Sequence, residues 1–332
     1  MKMPLYQIKQ RHDVIRQFTP NWFTVTMGTG VVALILAEFS TFAQSINIFA
    51  TLLWQINIVL FSLFSVLYIL RWLIYPHEAR QIFTHSSMAL FLGTIPMGLA
   101  TIINGFLKFG VVLYGDVAIQ IAQMLWYVDV FLAVMIGVLV PFLMFSRQKH
   151  ELKTMTAMWL LPIVACEVAA ASGGLLLQHL AVGQTALGIL FGSYILWGMS
   201  VLPAFAILTI LLLRLALHQL PSKELAISSW LALGPIGTGA LALLVLGAQA
   251  PHILQAYYLN GLADFLHYAG IASSLIFIGF GVWWLAIAVL TTLSHVKTGL
   301  PFNLGWWGLT FPLGVFTLAM LNLGHQLQIN FI

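Results

Sequence analysis

The chain has 332 residues, of which 61% are hydrophobic and 7% charged, with a formal net charge of +4 and a pI near 9.2. Apolar runs of about 20 residues, enough to cross a hydrocarbon core roughly 30 Å thick, recur throughout, which excludes a soluble globular domain and points to a multi-spanning membrane protein. The positive balance does not point to nucleic acid, because the cations lie in short connections with no basic stripe interleaved with aromatics. The single Cys166 allows neither a disulfide framework nor a cysteine metal cluster.

Hydropathy predicts nine spans in one transmembrane domain covering residues 1–332. They lie at 22–37, 48–72, 88–107, 117–145, 155–177, 185–213, 225–248, 262–293 and 304–323. The first follows Lys2, Lys9, Arg11 and Arg16; no small-residue cleavage site of the A-x-A kind closes it, so it reads as a retained helix rather than a signal peptide. Every second connection after it is basic: Arg71 and Arg80, then Arg147, Lys149 and Lys153, then Arg214 and Lys223, then Lys297. The connections around Phe42, Ala181 and Tyr257 carry no Lys or Arg, and Lys108 is the one cation on their side. The positive-inside rule then predicts a multi-pass protein of the plasma or inner membrane with a cytoplasmic N-terminus.

Helix breakers recur in the odd-numbered spans at Gly28, Pro96, Pro162, Pro235 and Pro312, separated by 68, 66, 73 and 77 residues. This spacing suggests a tandem array of helical hairpins. A breaker frees backbone groups that lipid cannot satisfy, so the odd helices are expected to form an inner ring facing protein or water. Small or weakly polar residues also follow one helix face: Thr26, Gly30, Ala33 and Ala37 in the first span, Thr94, Gly98, Thr101 and Gly105 in the third, Pro162, Cys166, Ala169 and Gly173 in the fifth. The stripe continues in part as Gly234, Thr238 and Leu241 in the seventh span and Thr310, Gly314 and Thr317 in the ninth. Such a face either lets helices pack closely or lines a pore.

Three segments carry a family resemblance: FTPNWFTVTMGTGVVALIL at 18–36, LGTIPMGLATIINGF at 92–106 and GWWGLTFPLGVFTLAM at 305–320. The whole chain resembles the tellurite-resistance/dicarboxylate transporter family of plant slow anion channels, bacterial tellurite-resistance channels, fungal malate permeases and fungal sulfite efflux pumps, with wording most similar to the sulfite pumps. The resemblance implies an all-α fold of five helical hairpins around a quasi-fivefold axis, a pore within each subunit lined by the odd helices, and assembly as a homotrimer in the bilayer. It also implies a pore-obstructing Phe on the ninth helix in an S/T-F-P context. Thr310, Phe311 and Pro312 match it, making Phe311 the candidate gate. The family pattern has ten helices and this sequence offers nine, so the fifth hairpin is expected to be incomplete.

An anion leaving water loses tens of kcal/mol of solvation in a dry low-dielectric medium, so its path must stay wet or offer oriented dipoles. Thr24, Thr29, Thr94, Thr238 and Thr310, with backbone amides near Gly30, Gly98, Gly239 and Gly314, are the candidate donors. No Lys or Arg lies deep in an odd span, which predicts weak binding, selectivity that follows size and dehydration cost, and a chloride-like or oxyanion substrate; the resemblance to the sulfite pumps implies sulfite or a related small anion, moved outward. A proton-coupled malate or other C4-dicarboxylate carrier is the alternative. Asp129 and Glu167 lie within spans, where carboxylates are costly unless protonated, bonded or paired. Glu167 is a candidate for proton coupling, weighed against a structural acid bonded to a freed carbonyl. GTGVVA at 28–33 matches G-x-G-x-x-A but lacks the strand and soluble crossover a dinucleotide site needs. His252 and His267 near the uncharged side could sense pH, but no His pair has metal-ligand spacing on one helix. Trp283, Trp284, Trp306 and Trp307 read as lipid or interface anchors. No catalytic constellation and no cofactor site is expected.

Overall fold

The computed structural model describes residues 13–296 and 299–329; Lys2, Lys9, Arg11 and Lys297 lie outside them. Among the described residues nine helical spans are long and apolar enough to cross a membrane: α1 (Pro20–Glu38), α2 (Gln44–Ile74), α3 (Met88–Tyr114), α4 (Asp116–Ser146), α5 (Ala157–Leu177), α6 (Gln184–His218), α7 (Ala226–Tyr257), α8 (Asn260–Val296) and α9 (Leu304–Leu327). All nine predicted spans are present, and the described residues contain no strand. Eight of the helices extend past their predicted ends, because the helical ladder continues into the interfacial turns.

The odd helices form the inner ring. In α3, α5 and α7, 78, 94 and 89% of the residues in the apolar window are buried, against 17 to 33% in α2, α4, α6 and α8. α1 packs on α3, α3 on α5, α5 on α7, α7 on α9 and α9 back on α1, so the ring closes. The even helices lie outside it and point Val59, Phe131, Leu202 and Ile276 outward, where lipid meets no backbone group it would have to satisfy.

Every odd helix is a joint between a short 3-10 segment and an α segment. The α segments begin at Phe23, Thr94, Leu161, Leu233 and Phe311. Pro96, Pro162, Pro235 and Pro312 each fall in the first three residues of an α segment. Proline has no N–H to offer, and the first turn is where a missing donor costs least, so the prolines set where the 3-10 turn gives way to the α-helix. In α1 the corresponding proline is Pro20, in the 3-10 turn itself. Gly28 sits inside continuous α-helix, where it admits Thr310 and Trp307 of α9 at close range. It is a packing position rather than a kink.

Indole donors tie the two rings together in a repeated pattern. Trp54 of α2 donates to the Ile102 carbonyl of α3, Trp126 of α4 to Ala169 of α5, and Trp197 of α6 to Gly239 of α7, at 3.2, 2.8 and 3.0 Å. Trp284 of α8 donates to the Ser229 carbonyl at 3.0 Å and is buried, so the anchoring expectation is corrected for it, whereas Trp283 stays half-exposed. The basic end is laced by bonds between connections: Arg16 pairs with Glu78 at 2.8 Å, and Gln148 donates to the Phe83 carbonyl at 3.0 Å.

Candidate functional site

A cavity of about 390 Å³ runs inside the ring. Its wall is drawn from all five odd helices and the turn after α5: Val31, Leu34 and Glu38 of α1, Thr101, Asn104, Leu107 and Lys108 of α3, Val168, Ala171 and Leu175 of α5 with Gln178 and His179 beyond it, Thr238 and Leu241 of α7, and Phe311, Val315, Leu318, Leu321, Asn322 and His325 of α9. No residue of an even helix is in it. Phe311 to His325 on α9 corresponds to about 21 Å of helix rise, so the cavity reaches from the middle of the bundle to the end where Lys108 lies.

Phe311 is in the wall, at the opposite end of the α9 contribution from His325. It is 3% exposed and packs in an apolar cluster with Met27 and Val31 of α1, Met97 of α3, Val164 and Val168 of α5, Ile236 of α7 and Val315 of its own helix. Every odd helix thus contributes to the cluster that holds this ring. Beyond it towards the basic end the apolar contacts continue, with Leu233 of α7 and Leu160 of α5 fully buried.

Of the predicted donors, Thr238 is in the wall, and its buried hydroxyl has no hydrogen-bond partner. The others are placed differently. Thr24, Thr94 and Thr310 donate to backbone carbonyls of Asn21, Phe91 and Trp307 at 2.7, 2.7 and 2.8 Å. A hydroxyl has one proton, so these have none left for an anion. Thr29 is buried and off the wall. The glycines sit at helix crossings: Gly30 meets Thr101 and Asn57, Gly98 meets Thr26 and Phe61, Gly239 meets Phe277, and Gly314 meets Val31 and Ile35. The stripe glycines therefore seat helix on helix; Thr101 of α3 and Thr238 and Leu241 of α7 border the cavity from the predicted stripes themselves, while on α1, α5 and α9 the wall is a neighbouring stripe.

The two intramembrane acids are not in the wall. Asp129 and Glu167 are fully buried, Asp129 has no hydrogen-bond partner, and Glu167 lies beside the Ser200 hydroxyl without closing a bond to it. On α5 the wall residues are Val168, Ala171 and Leu175, and Glu167 is turned from them towards α6.

The open end holds polar groups that hydropathy and spacing did not single out. Lys108 donates to Glu38 at 2.8 Å across α3 and α1. Asn322 accepts from Gln326 at 2.8 Å through its amide oxygen, which leaves its NH2 for the cavity. The Asn104 amide oxygen is buried without a partner. Lys108 lies in a π-helical segment, Phe106–Gly110, inside α3. Such a segment re-aims side chains, and here it puts the consecutive residues Leu107 and Lys108 both on the wall. The one sequence signal for this region was Lys108 standing alone on its side.

A closed ring of kinked helices around an axial cavity, sheathed by lipid-facing helices, is the build of a membrane transport protein. The voltage-dependent anion channel family (SLAC1) matches residues 17–332, and the chain belongs to that family, whose members move anions across membranes. It is 37% identical to a sulfite efflux pump of Arthroderma benhamiae over 97% of this chain and 86% of the relative. It is 29% identical to an uncharacterized transporter of Methanocaldococcus jannaschii, over 92% of this chain and 83% of that one, and 26% identical to a malic acid transport protein of Schizosaccharomyces pombe, over 99% and 75%. Family and relatives point to a multi-pass membrane transporter rather than an enzyme.

Proposed function

We propose that this protein passes small anions through the centre of the α1, α3, α5, α7 and α9 ring, with Phe311 as the plug that must move aside. The observation that carries this reading is a cavity walled by every odd helix and no even one, with that phenylalanine in its wall. The wall offers the free Thr238 hydroxyl and the amides of Asn104 and Asn322, with no full charge near Phe311. Neutral donors of this kind bind an anion weakly enough to release it. The other predicted pathway residues, Thr24, Thr29, Gly30, Thr94, Gly98, Gly239, Thr310 and Gly314, act through the helix packing that shapes the conduit.

Sulfite or a related small anion, moving outward, is the favoured cargo, since relatives at 37 and 38% identity are named sulfite efflux pumps. A malate carrier is the second reading, favoured by the malic acid transport relative. The basic end is assigned to the cytoplasm, with the N-terminus there, on the positive-inside rule. The protein works in the cell membrane as a homotrimer with one conduit per subunit, and needs no cofactor.

The test is flux from proteoliposomes loaded with sulfite, chloride, nitrate or malate. Passage of the small inorganic anions ahead of malate is expected. Malate flux alone, driven by protons, would transfer the assignment to the second reading, and no flux of any anion would end both.

A further inference from the structure

We infer that the open end of the cavity is an anion-concentrating subsite for halides and small oxyanions, whose charge is set by Glu38, Lys108, His179 and His325, an inference that rests on the anion-conduction reading above. These four are the titratable side chains in the cavity wall, one each from α1, α3, the turn after α5, and α9. α7 adds none to the wall: His252 lies further along it and outside the cavity, and Asp116 of α4 is exposed away from it.

The geometry makes the charge of this mouth adjustable. Glu38 cancels Lys108 across a 2.8 Å ion pair, so with both imidazoles neutral the mouth has no net charge. Protonating His179 and His325 leaves it doubly positive while the ion pair stays made. The wall between these charges carries the side-chain amides of Gln178, Asn322 and Asn104, whose NH2 groups are neutral donors; the Asn322 oxygen is taken by Gln326, so that amide has its NH2 to offer. A fixed cluster of like charge in a cleft with low-dielectric walls raises the local concentration of counter-ions. Lys108 is half-exposed, so its ammonium is reachable by a hydrated anion once Glu38 is neutralised or outweighed.

The response has a defined sign. Burial holds the His179 imidazole below the ordinary histidine value, so its charge appears on the acid side of the usual histidine range. Acidifying the compartment facing this mouth therefore gathers anions there, and alkaline conditions leave it neutral.

The mouth potential can be read without transport. A cysteine at Leu321, on the cavity wall, is reacted with an anionic and a cationic thiosulfonate reagent, and the ratio of the two rates is followed from about pH 8 to about pH 5. Thiol ionisation affects both reagents equally and cancels in the ratio. Protein without the Leu321→Cys change is the control for the buried Cys166. The anionic preference is expected to rise about thirtyfold on acidification, since two charges at roughly 8 Å in a water-like medium favour the anionic reagent and disfavour the cationic one by the same amount. Glu38→Gln should raise the ratio at neutral pH, Lys108→Met should lower it, and His179→Gln with His325→Gln should flatten the profile. A ratio that stays flat in the otherwise unaltered protein, or a profile that survives loss of both histidines, overturns the inference. Chloride flux measured on the same preparations separates the two claims: a responsive ratio without flux removes the conduction reading and leaves the charged mouth standing.

Discussion

A Cβ added to Gly237 of α7 would stand 2.6 Å from both the Cα and the backbone nitrogen of Phe316 in α9, so these two helices touch backbone to backbone. Three residues earlier, Gly234 has open space on its Cβ side. Gly237→Ala should therefore force the helices apart and cost about 1–3 kcal/mol. Gly234→Ala should be neutral or stabilise by up to about 1 kcal/mol through helix propensity. Thermal unfolding in detergent compares the two, and equal shifts would contradict this packing.

Phe311 belongs to an apolar cluster drawn from every odd helix. Truncation to Ala should cost about 3–5 kcal/mol of stability, as for other buried phenylalanines. If the ring is the plug, the same change should raise anion flux several-fold, with Phe311→Leu intermediate. Proteoliposome flux normalised to folded protein is the measurement, and reduced flux in both variants would remove Phe311 from the gating role.

Thr238 has a buried hydroxyl without a partner, on the cavity wall. Thr238→Val keeps the shape and removes a group whose desolvation is uncompensated, so stability should hold or rise by about 1 kcal/mol. Anion flux should fall, by up to about tenfold for the loss of one neutral donor. Unchanged flux would assign the residue to packing alone.

Glu167 faces α6 rather than the cavity. Glu167→Gln, with the same shape and the same neighbour at Ser200, should leave the response of transport to an imposed pH gradient as it was. A lost proton dependence would return the residue to the transport cycle.

At the basic end, Arg16 and Glu78 pair at 2.8 Å on the protein surface. The hydrogen bond from Arg16 holds the Glu78 carboxyl below the ordinary carboxylate value. The contribution is therefore present above that ordinary value and is lost as pH falls through the lower, folded one. Hydrogen exchange of Asp13–Arg16 should speed up in that acid window, and Glu78→Gln should abolish the transition. An identical profile in the variant would show that other contacts hold this segment.

Much of the architecture was legible. Hydropathy located all nine spans because a helix in lipid must bond its own backbone over the full membrane thickness. The prolines in the first α-helical turn, Pro96, Pro162, Pro235 and Pro312, marked four of the inner helices, whereas Pro141 of α4 and Pro203 of α6 lie in the interior of outer helices, so it is the position of the proline in the helix and not its presence that distinguishes the two rings. The site was legible in part. The three matching segments pointed to Phe311, and Thr238 lay on a predicted stripe that also met the cavity. Asn104, Gln178, His179, Asn322 and His325 carried no such signal, since each is an ordinary polar residue near the end of a helix.

The alternation of inner and outer helices and the isolation of Lys108 were set by the order of the residues, because helix length, backbone satisfaction and loop charge are local or additive properties. Which face of each odd helix borders the cavity was decided only by the assembled ring. Small residues serve a helix crossing and an open conduit equally well, and the choice depends on where the axis falls among five neighbours. The α1–α3 and α7–α9 contacts took up Gly30 and Gly237, and the space left in the middle fell to Val31, Thr101, Val168, Thr238 and Phe311. Tertiary packing likewise brought Glu38 to Lys108 from 70 residues away, giving the lone cation of that side its partner.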